Sequence, residues 1–578
     1  MPSNPPPSPA PSIQDATNIP PKSGAVDALN KAKQPPPESN ETLWTRRLVI
    51  LSFWAVVICL GIPIWWKTTT VYRAVLPLQA MMDWSDGKIC RPVFPLQIFI
   101  DAPFLLPADA QNLIRTTQHA LDDLNDFSAH HLRLLLSEPR STSNFSQDIV
   151  QTTSIKGLGD ETHDREDIAL KINLIPGQSG SVPRSELQPY ESRLDVFYTP
   201  NQIPSSSSTS SPLATFIANK LQFIFAEEQA SLAYLLSQSN TGQQTQIKSM
   251  SQETAASLAR QSTRSFKYAP TYHLTFSLFT PTSIPTEWDI EAALKEYMQP
   301  LLASLSSISE FTVDTQLQLY ATFSPSVQQP EEDPTTGTWL LRKDDLSGFV
   351  NAAEWPLSPS IGKGPTVNFV LYVPTADQAP LVVKENRGNS WLVPQWGGVV
   401  ILNPPYGEKT KTPSTLTKND LQPAMLTFSN QLLSLLGLPQ SPASLPLRIS
   451  TLTRVRAASL LFSASSTLGA LARLTQALES IAIPDTVAHS VDQTISRLHT
   501  ACTDLREGRF HSALANARIA ELEAEKAFFE RSMVGQVYFP EEHKVAVYLP
   551  LLGPVSVPLI MAALKEVRKL RARAQAGA

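Results

Sequence analysis

Apolar positions follow several distinct patterns along this chain. From Leu48 to Trp66, nineteen residues carry no charge. At 1.5 Å per residue, a helix of that length covers about 28 Å, close to the hydrocarbon core of a bilayer. Arg46-Arg47 precede the run and Trp65-Trp66-Lys67 follow it, giving the basic flank and aromatic edge of a membrane span. Val545–Leu564 forms a second apolar run, interrupted by Pro550, Pro554 and Pro558 and followed by Lys565, Arg568, Lys569, Arg571 and Arg573. Membrane helices tolerate proline where neighbours satisfy the freed carbonyls. A buried helix is the competing reading of both runs, and a re-entrant segment that of the second.

Between them the pattern changes to short β-rich runs alternating with helical stripes. Val93–Asp101, Ile168–Ile175, Leu194–Tyr198, Tyr272–Phe279, Phe311–Ala321, Val367–Val373 and Val399–Leu402 are bounded by Pro, Gly or Asn and predict strands. In Tyr272–Phe279 the set Tyr272, Leu274, Phe276 and Leu278 has the period of a half-buried strand. Ile290, Leu294, Tyr297, Met298, Leu301, Leu305 and Ile308 follow three-and-four spacing and predict a helix over Asp289–Ile308, kinked at Pro300. Ala108–Leu136, Leu213–Leu236 and Asn419–Leu436 read as helices too. Ser205–Ser211 and Ser237–Ser265 read as exposed loops, the second partly helical. From about Leu452, strand signals stop and helices are expected at 452–482, 486–506 and 509–534. In the middle one Val487, Val491, Ile495, Leu498, Cys502 and Leu505 form a core stripe.

The expected organisation is therefore a disordered tail (1–43), a first transmembrane helix (44–66), an α/β domain (67–451), a helical segment (452–543), a second transmembrane helix (544–564) and a basic tail (565–578). The fold class is an α/β luminal domain with a C-terminal α-helical layer, flanked by two transmembrane helices, one near each terminus. The Pro-rich start cannot bury enough apolar surface to order itself, and it is too long for the n-region of a signal peptide. The positive-inside rule assigns both tails to the cytosol and residues 67–544 to the lumen or exterior. On that side Asn144-Phe145-Ser146 is a glycosylation sequon, whereas Asn40-Glu41-Thr42 falls on the cytosolic side.

The net charge of −5 and the lack of a basic stripe exclude a broad nucleic-acid surface. Three cysteines, Cys59, Cys90 and Cys502, make neither a zinc pattern nor a disulfide framework. Cys502 reads as a small hydrophobe in its apolar stripe and Cys90 as a structural thiol; an oxidising lumen leaves a Cys90–Cys502 disulfide open. His130-His131 point about 100° apart on a helix, which suits a solvated helix end better than a metal pair. Asp160–Asp167 lacks calcium-loop spacing and reads as a charged loop, and Gly397-Gly398 reads as a sharp turn into a strand. No catalytic, cofactor-binding or metal-binding residue is predicted. Trp339–Pro356 sets Arg342, Lys343, Asp344 and Asp345 beside an amphipathic helix ending at Trp355-Pro356. That is either a solvated charge cluster or a docking edge for another subunit.

Gly61–Pro77, Phe266–Phe279, Ile308–Ala321, Leu340–Pro359 and Trp391–Asn403, in this order, together resemble the PIG-S family over about 43–565. The resemblance implies a non-catalytic subunit of the endoplasmic-reticulum complex that attaches preassembled glycosylphosphatidylinositol (GPI) anchors to protein C-termini. It also implies a cysteine protease partner, PIG-K, and the further partners GAA1, PIG-T and PIG-U. Contact with precursor protein or GPI lipid stays open. So do two other classes, a membrane-tethered hydrolase or transferase and a membrane-anchored adhesion or receptor module.

Overall fold

The computed structural model describes residues 39–69, 72–137, 167–177, 182–204, 211–238, 252–321, 328–344, 346, 364–403, 414–478, 481–533 and 541–576. The chain divides into two units, Tyr72–Val537 and one formed by the terminal segments Met1–Val71 and Tyr538–Ala578.

In the terminal unit the first helix, α1 (Asn40–Val56), passes through a π turn at Val57–Gly61 into α2 (Ile62–Thr69). It starts before the expected boundary at 44 because the Ser39 hydroxyl accepts the Thr42 amide at 3.4 Å, closing an N-cap. Within this rod, Glu41–Ile64 is long and apolar enough to cross a membrane and is unburied. The C-terminal helix, Glu541–Ala576, contains all three prolines and continues unbroken through the basic cluster. Arg46 and Arg47 both pair with Glu566 on it, the Arg47 Nε at 3.2 Å.

The body, Tyr72–Val537, starts with α3 (Leu78–Ser85) and then lays down β1 (Phe94–Asp101), α4 (Pro107–Leu124), β2 (His130–Leu136), β3 (Ile168–Pro176), β4 (Arg184–Leu187) and β5 (Arg193–Tyr198). These strands form a sheet in the order β2-β1-β3-β5-β4, parallel except at β4. The helix expected over Ala108–Leu136 therefore ends at Leu124, and its second half is β2. The reason is local. The Asn125 side chain accepts the Phe127 amide at 3.0 Å and donates to the His130 carbonyl at 2.9 Å, turning the chain. Gln118 of α4 then receives the Leu134 amide at 3.0 Å and donates to the Leu132 carbonyl at 3.0 Å, so a helix side chain occupies this outer strand's free edge.

Two helices, α5 (Pro212–Gln238) and α6 (Gln252–Arg264), lead to a second sheet. Its strands are β6 (Thr271–Phe279), β8 (Glu310–Gln318), β11 (Thr366–Tyr372), β13 (Ser390–Val393) and β14 (Gly397–Ile401), in the order β13-β14-β11-β6-β8 and parallel except at β13. The short pieces β9 (Glu331–Asp333), β10 (Thr338–Leu341) and β12 (Leu381–Val383) make a three-stranded sheet, and β7 (Glu287–Trp288) pairs with β15 (Thr415–Leu416). Between β7 and β8, α7 (Ile290–Ala293) passes through a π turn at Leu294–Met298 into α8 (Gln299–Leu305). Pro300 lies in the first turn of α8, where its missing N–H removes no bond.

β6 is not half-buried. It lies between β11 and β8, and Leu274 through Phe279 are buried on both faces. The inserted polar Ser277 is satisfied by the Gln316 Nε2 donor at 2.8 Å. One face packs Phe276 on Phe369 (5.1 Å) and Phe428 (5.9 Å). The other shares a smaller core with Leu341, Leu381, Val399 and Ile401.

The remaining helices are α9 (Lys418–Leu435), α10 (Leu445–Ala477), α11 (Asp485–Glu507) and α12 (Phe510–Phe528). α10 touches α3, β3, α5, α8 and α12 and so packs on elements of both halves of the body. It is also long and apolar enough to cross a membrane, but over half of that stretch is buried in the protein, which marks it as a core helix.

Gly397 and Gly398 are not the expected turn, which falls at 394–396, but the first two residues of β14, where no side chain fits. A Cβ on Gly397 would lie 1.8 Å from the Asn368 carbonyl oxygen, and one on Gly398 would lie 1.9 Å from Gln431 Oε1. We expect Gly397→Ala to destabilise the body by about 1–3 kcal/mol through this overpacking. Equilibrium denaturation of the full chain measures it, and an unchanged midpoint would refute the steric argument.

Candidate functional site

The predicted docking edge is built on β10. Leu341 ends this strand in the core at 1% exposure, and the chain then turns outward, leaving Arg342, Lys343 and Asp344 exposed. The Glu385 carboxylate fixes the turn by accepting the Lys343 amide at 3.1 and 3.2 Å. Alongside, Arg387 bonds Asp333 at 3.1 Å and the Thr338 hydroxyl at 3.1 Å. Hydrogen bonds from Thr335, Arg387 and Thr336 hold the Asp333 carboxyl well below the usual carboxylate range. The edge is thus a mixed-sign charged rim on a small sheet, suited to polar recognition. Asp345, Trp355 and Asn144 lie outside the described residues.

The body also contains a charged cluster that sequence reasoning missed. Glu228 on α5 is 2% exposed and meets Arg454 of α10, itself 2% exposed. Arg454 Nε donates to Oε1 and Nη2 to Oε2, both at 2.6 Å, and Thr451 Oγ1 donates to Oε2 at 2.6 Å. His130 Nε2 lies 3.5 Å from Oε1. Burial pushes the Glu228 carboxyl up, but the Arg454 guanidinium and His130 overcome it and hold the group well below the usual carboxylate range. His130 is therefore not a solvated helix end. It points from the first residue of β2 into the core at 4% exposure, because β2 pairs with β1 and turns this position inward. The available signal was a charge on an apolar stripe, Glu228 within IFAEEQASL and Arg454 within ISTLTRVRAASLL.

This cluster resembles part of a catalytic constellation, but the cavity beside His130 holds about 30 Å³, room for a water rather than a substrate. Its geometry makes it an electrostatic clamp between sheet and helices. Among the described residues, no group of three or more His, Cys, Asp or Glu side chains is placed to hold a metal ion.

A second clamp joins α11 to α12. Asp504 accepts from Arg509 Nε (3.0 Å) and Nη2 (2.6 Å), from Ser512 Oγ (2.7 Å) and from Asn516 Nδ2 (3.1 Å). Of the alternatives open for Cys90 and Cys502, the paired one holds. Cys90 and Cys502 form a disulfide, with Cα atoms 6.2 Å apart. Cys502 keeps its place in the apolar stripe of α11, which packs against β1, and that packing brings it to Cys90, four residues ahead of β1.

A family model described as phosphatidylinositol-glycan biosynthesis class S protein matches residues 52–573. The GPI-anchor transamidase component PIGS of Homo sapiens is 26% identical over 559 residues, covering 90% of this chain and 95% of that protein. The GPI transamidase component PIG-S homolog of Schizosaccharomyces pombe is 28% identical over 536 residues, covering 91% and 84%. The GPI transamidase component GPI17 of Saccharomyces cerevisiae is 25% identical over 533 residues, covering 88% and 90%. A match that runs from within the first apolar helix, through both five-stranded sheets and into the C-terminal helix leaves one conclusion: the chain belongs to the PIG-S family.

Proposed function

We propose that this chain is a component of a GPI-anchor transamidase, serving as a non-catalytic scaffold that positions substrate for a catalytic subunit. The observation that carries this reading is the family match across residues 52–573, together with relatives of similar length that are named transamidase components. On this reading the catalytic cysteine protease is PIG-K, with GAA1, PIG-T and PIG-U as the other partners. The chain resides in the endoplasmic-reticulum membrane, with Leu48–Trp66 and Val545–Leu564 as spans and both termini cytosolic. The Cys90–Cys502 disulfide supports a luminal body, since disulfides persist in the lumen and are rare in the cytosol. Asn144 is then the expected glycan acceptor, and no nucleic acid is involved.

The rim at Arg342, Lys343 and Asp344, continuing to Asp345 and Trp355, is the proposed docking edge. Affinity purification of the full chain in mild detergent tests the whole reading. We expect transamidase subunits to be recovered with it and an endoglycosidase-sensitive glycan on Asn144. Recovery of the chain alone would overturn the scaffold role. The Arg342→Glu/Lys343→Glu variant should recover roughly three- to tenfold less partner, a change of up to about 1.4 kcal/mol, with an unchanged melting temperature. Normal recovery with slower anchor transfer would refute docking at this rim.

A further inference from the structure

A cavity of about 570 Å³ opens between the end of α6, the segment leading into β6, and helices α10 and α12. Its size is that of a small-molecule site. Its lining is charged in an unusual way. Arg456 from α10 directs Nη2 at the carbonyls of Phe266 (3.3 Å) and Leu436 (2.8 Å). Arg518 from α12 donates to the carbonyls of Ser307 (3.1 Å) and Ile308, and lies over the Tyr268 ring at 5.4 Å. Both guanidiniums are thus held by neutral groups, and no carboxylate among the described residues forms an ion pair with either. Burial lowers the pKa of Arg456, as expected of a cation without a counter-ion. Lys267 adds a third positive charge at an exposed position of the lining, against the two carboxylates Glu521 and Glu525.

Two buried polar atoms of opposite kind in this lining lack partners. Arg518 Nε is a donor with no acceptor, and Glu521 Oε2 is an acceptor with no donor. The other Glu521 oxygen is occupied by the Ser463 hydroxyl at 2.6 Å. Such atoms are costly to leave unmade. A ligand that satisfied both would present an acceptor to Arg518 and a donor to Glu521. Phosphate oxygens match the guanidinium fork, and the adjacent hydroxyls of Ser459 and Ser463 suit a polyol.

We propose that this cavity binds a phosphorylated polyol, with the phosphate between Arg456 and Arg518 and a ring or chain hydroxyl on Glu521. The inference rests on this geometry and is independent of the assembly role proposed above. A free sugar phosphate and the headgroup of a phosphatidyl-polyol lipid share this chemistry.

Isothermal titration calorimetry of the full chain in neutral detergent tests it, using glucose 6-phosphate, inorganic phosphate, glucose, and micelles doped with phosphatidylglycerol. The expected result is 1:1 saturable binding of glucose 6-phosphate or of the doped micelles, at least tenfold tighter than inorganic phosphate or glucose alone. Binding should weaken at least tenfold in Arg518→Gln and in Glu521→Ala. Arg518 also bonds the backbone near Ile308, so Lys267→Gln serves as a variant that leaves the fold intact, with an expected loss of about threefold and an unchanged melting temperature. Saturation by glucose 6-phosphate supports the free-phosphate source, and saturation by doped micelles supports the lipid source. No saturable binding by either, affinity no better than inorganic phosphate, or binding indifferent to all three variants would overturn the proposal.

Discussion

Arg454→Met should destabilise the body by about 3–5 kcal/mol, because it strands the Glu228 carboxylate in the core without its bidentate partner. The size follows from the burial of both groups to 2% exposure, where water cannot replace the lost guanidinium. The double variant Glu228→Met/Arg454→Met should recover most of this loss, since removing both charges removes the desolvation cost as well. The pH dependence has a definite sign. Glu228 is held below its ordinary carboxyl value, so its contribution is present above the unfolded pKa of roughly 4.3 and is lost as pH falls. Urea denaturation of the full chain across pH 3–7 reads both effects. An Arg454→Met midpoint equal to the parent's, or a double variant no better than the single, would refute the clamp.

The disulfide gives the second large effect. Cys90 and Cys502 are 412 residues apart in sequence. Closing a loop that long removes unfolded-state entropy worth about 6 kcal/mol in the ideal chain model, against about 2–5 kcal/mol typical when a native disulfide is removed. Cys90→Ser/Cys502→Ser should therefore lower stability by about 2–5 kcal/mol, and each single variant should do nearly as much. Reductant should lower the melting point of the parent chain and leave that of the double variant unmoved. A parent indifferent to reductant would show that the link contributes nothing.

Much of the architecture was legible because local pattern and tertiary environment agree. The seven runs chosen for β-branched and aromatic content all became strands, and the stripe Val487, Val491, Leu498, Cys502 and Leu505 is buried as its spacing implies, with Ile495 half-buried. β2 was missed because HHLRLLL fits helical spacing as well as strand alternation; the Asn125 turn and the pairing with β1 decide it. The half-buried reading of Tyr272–Phe279 failed for a related reason, since period-two apolarity does not report that Thr275 and Ser277 are covered from the other face. The disulfide, the Glu228 clamp and the 570 Å³ cavity each join residues from distant segments. No local pattern encodes such meetings, although charges on apolar stripes could have flagged Glu228 and Arg454. The exposed positions Arg342, Lys343 and Asp344 were legible as a surface rim because charge runs resist burial.

The packing of α11 on β1 also sets a schedule for synthesis. β1 is the second strand in its sheet, yet one of the helices that covers it is completed about 400 residues later. At roughly 5–20 residues per second, the ribosome takes about 20–80 s to deliver that cover. For that interval the part of β1 that α11 covers has no permanent partner and depends on the quality-control machinery of the compartment receiving it. Truncations ending before Asp485 should consequently be retained by chaperones and degraded, rather than accumulate as folded N-terminal fragments.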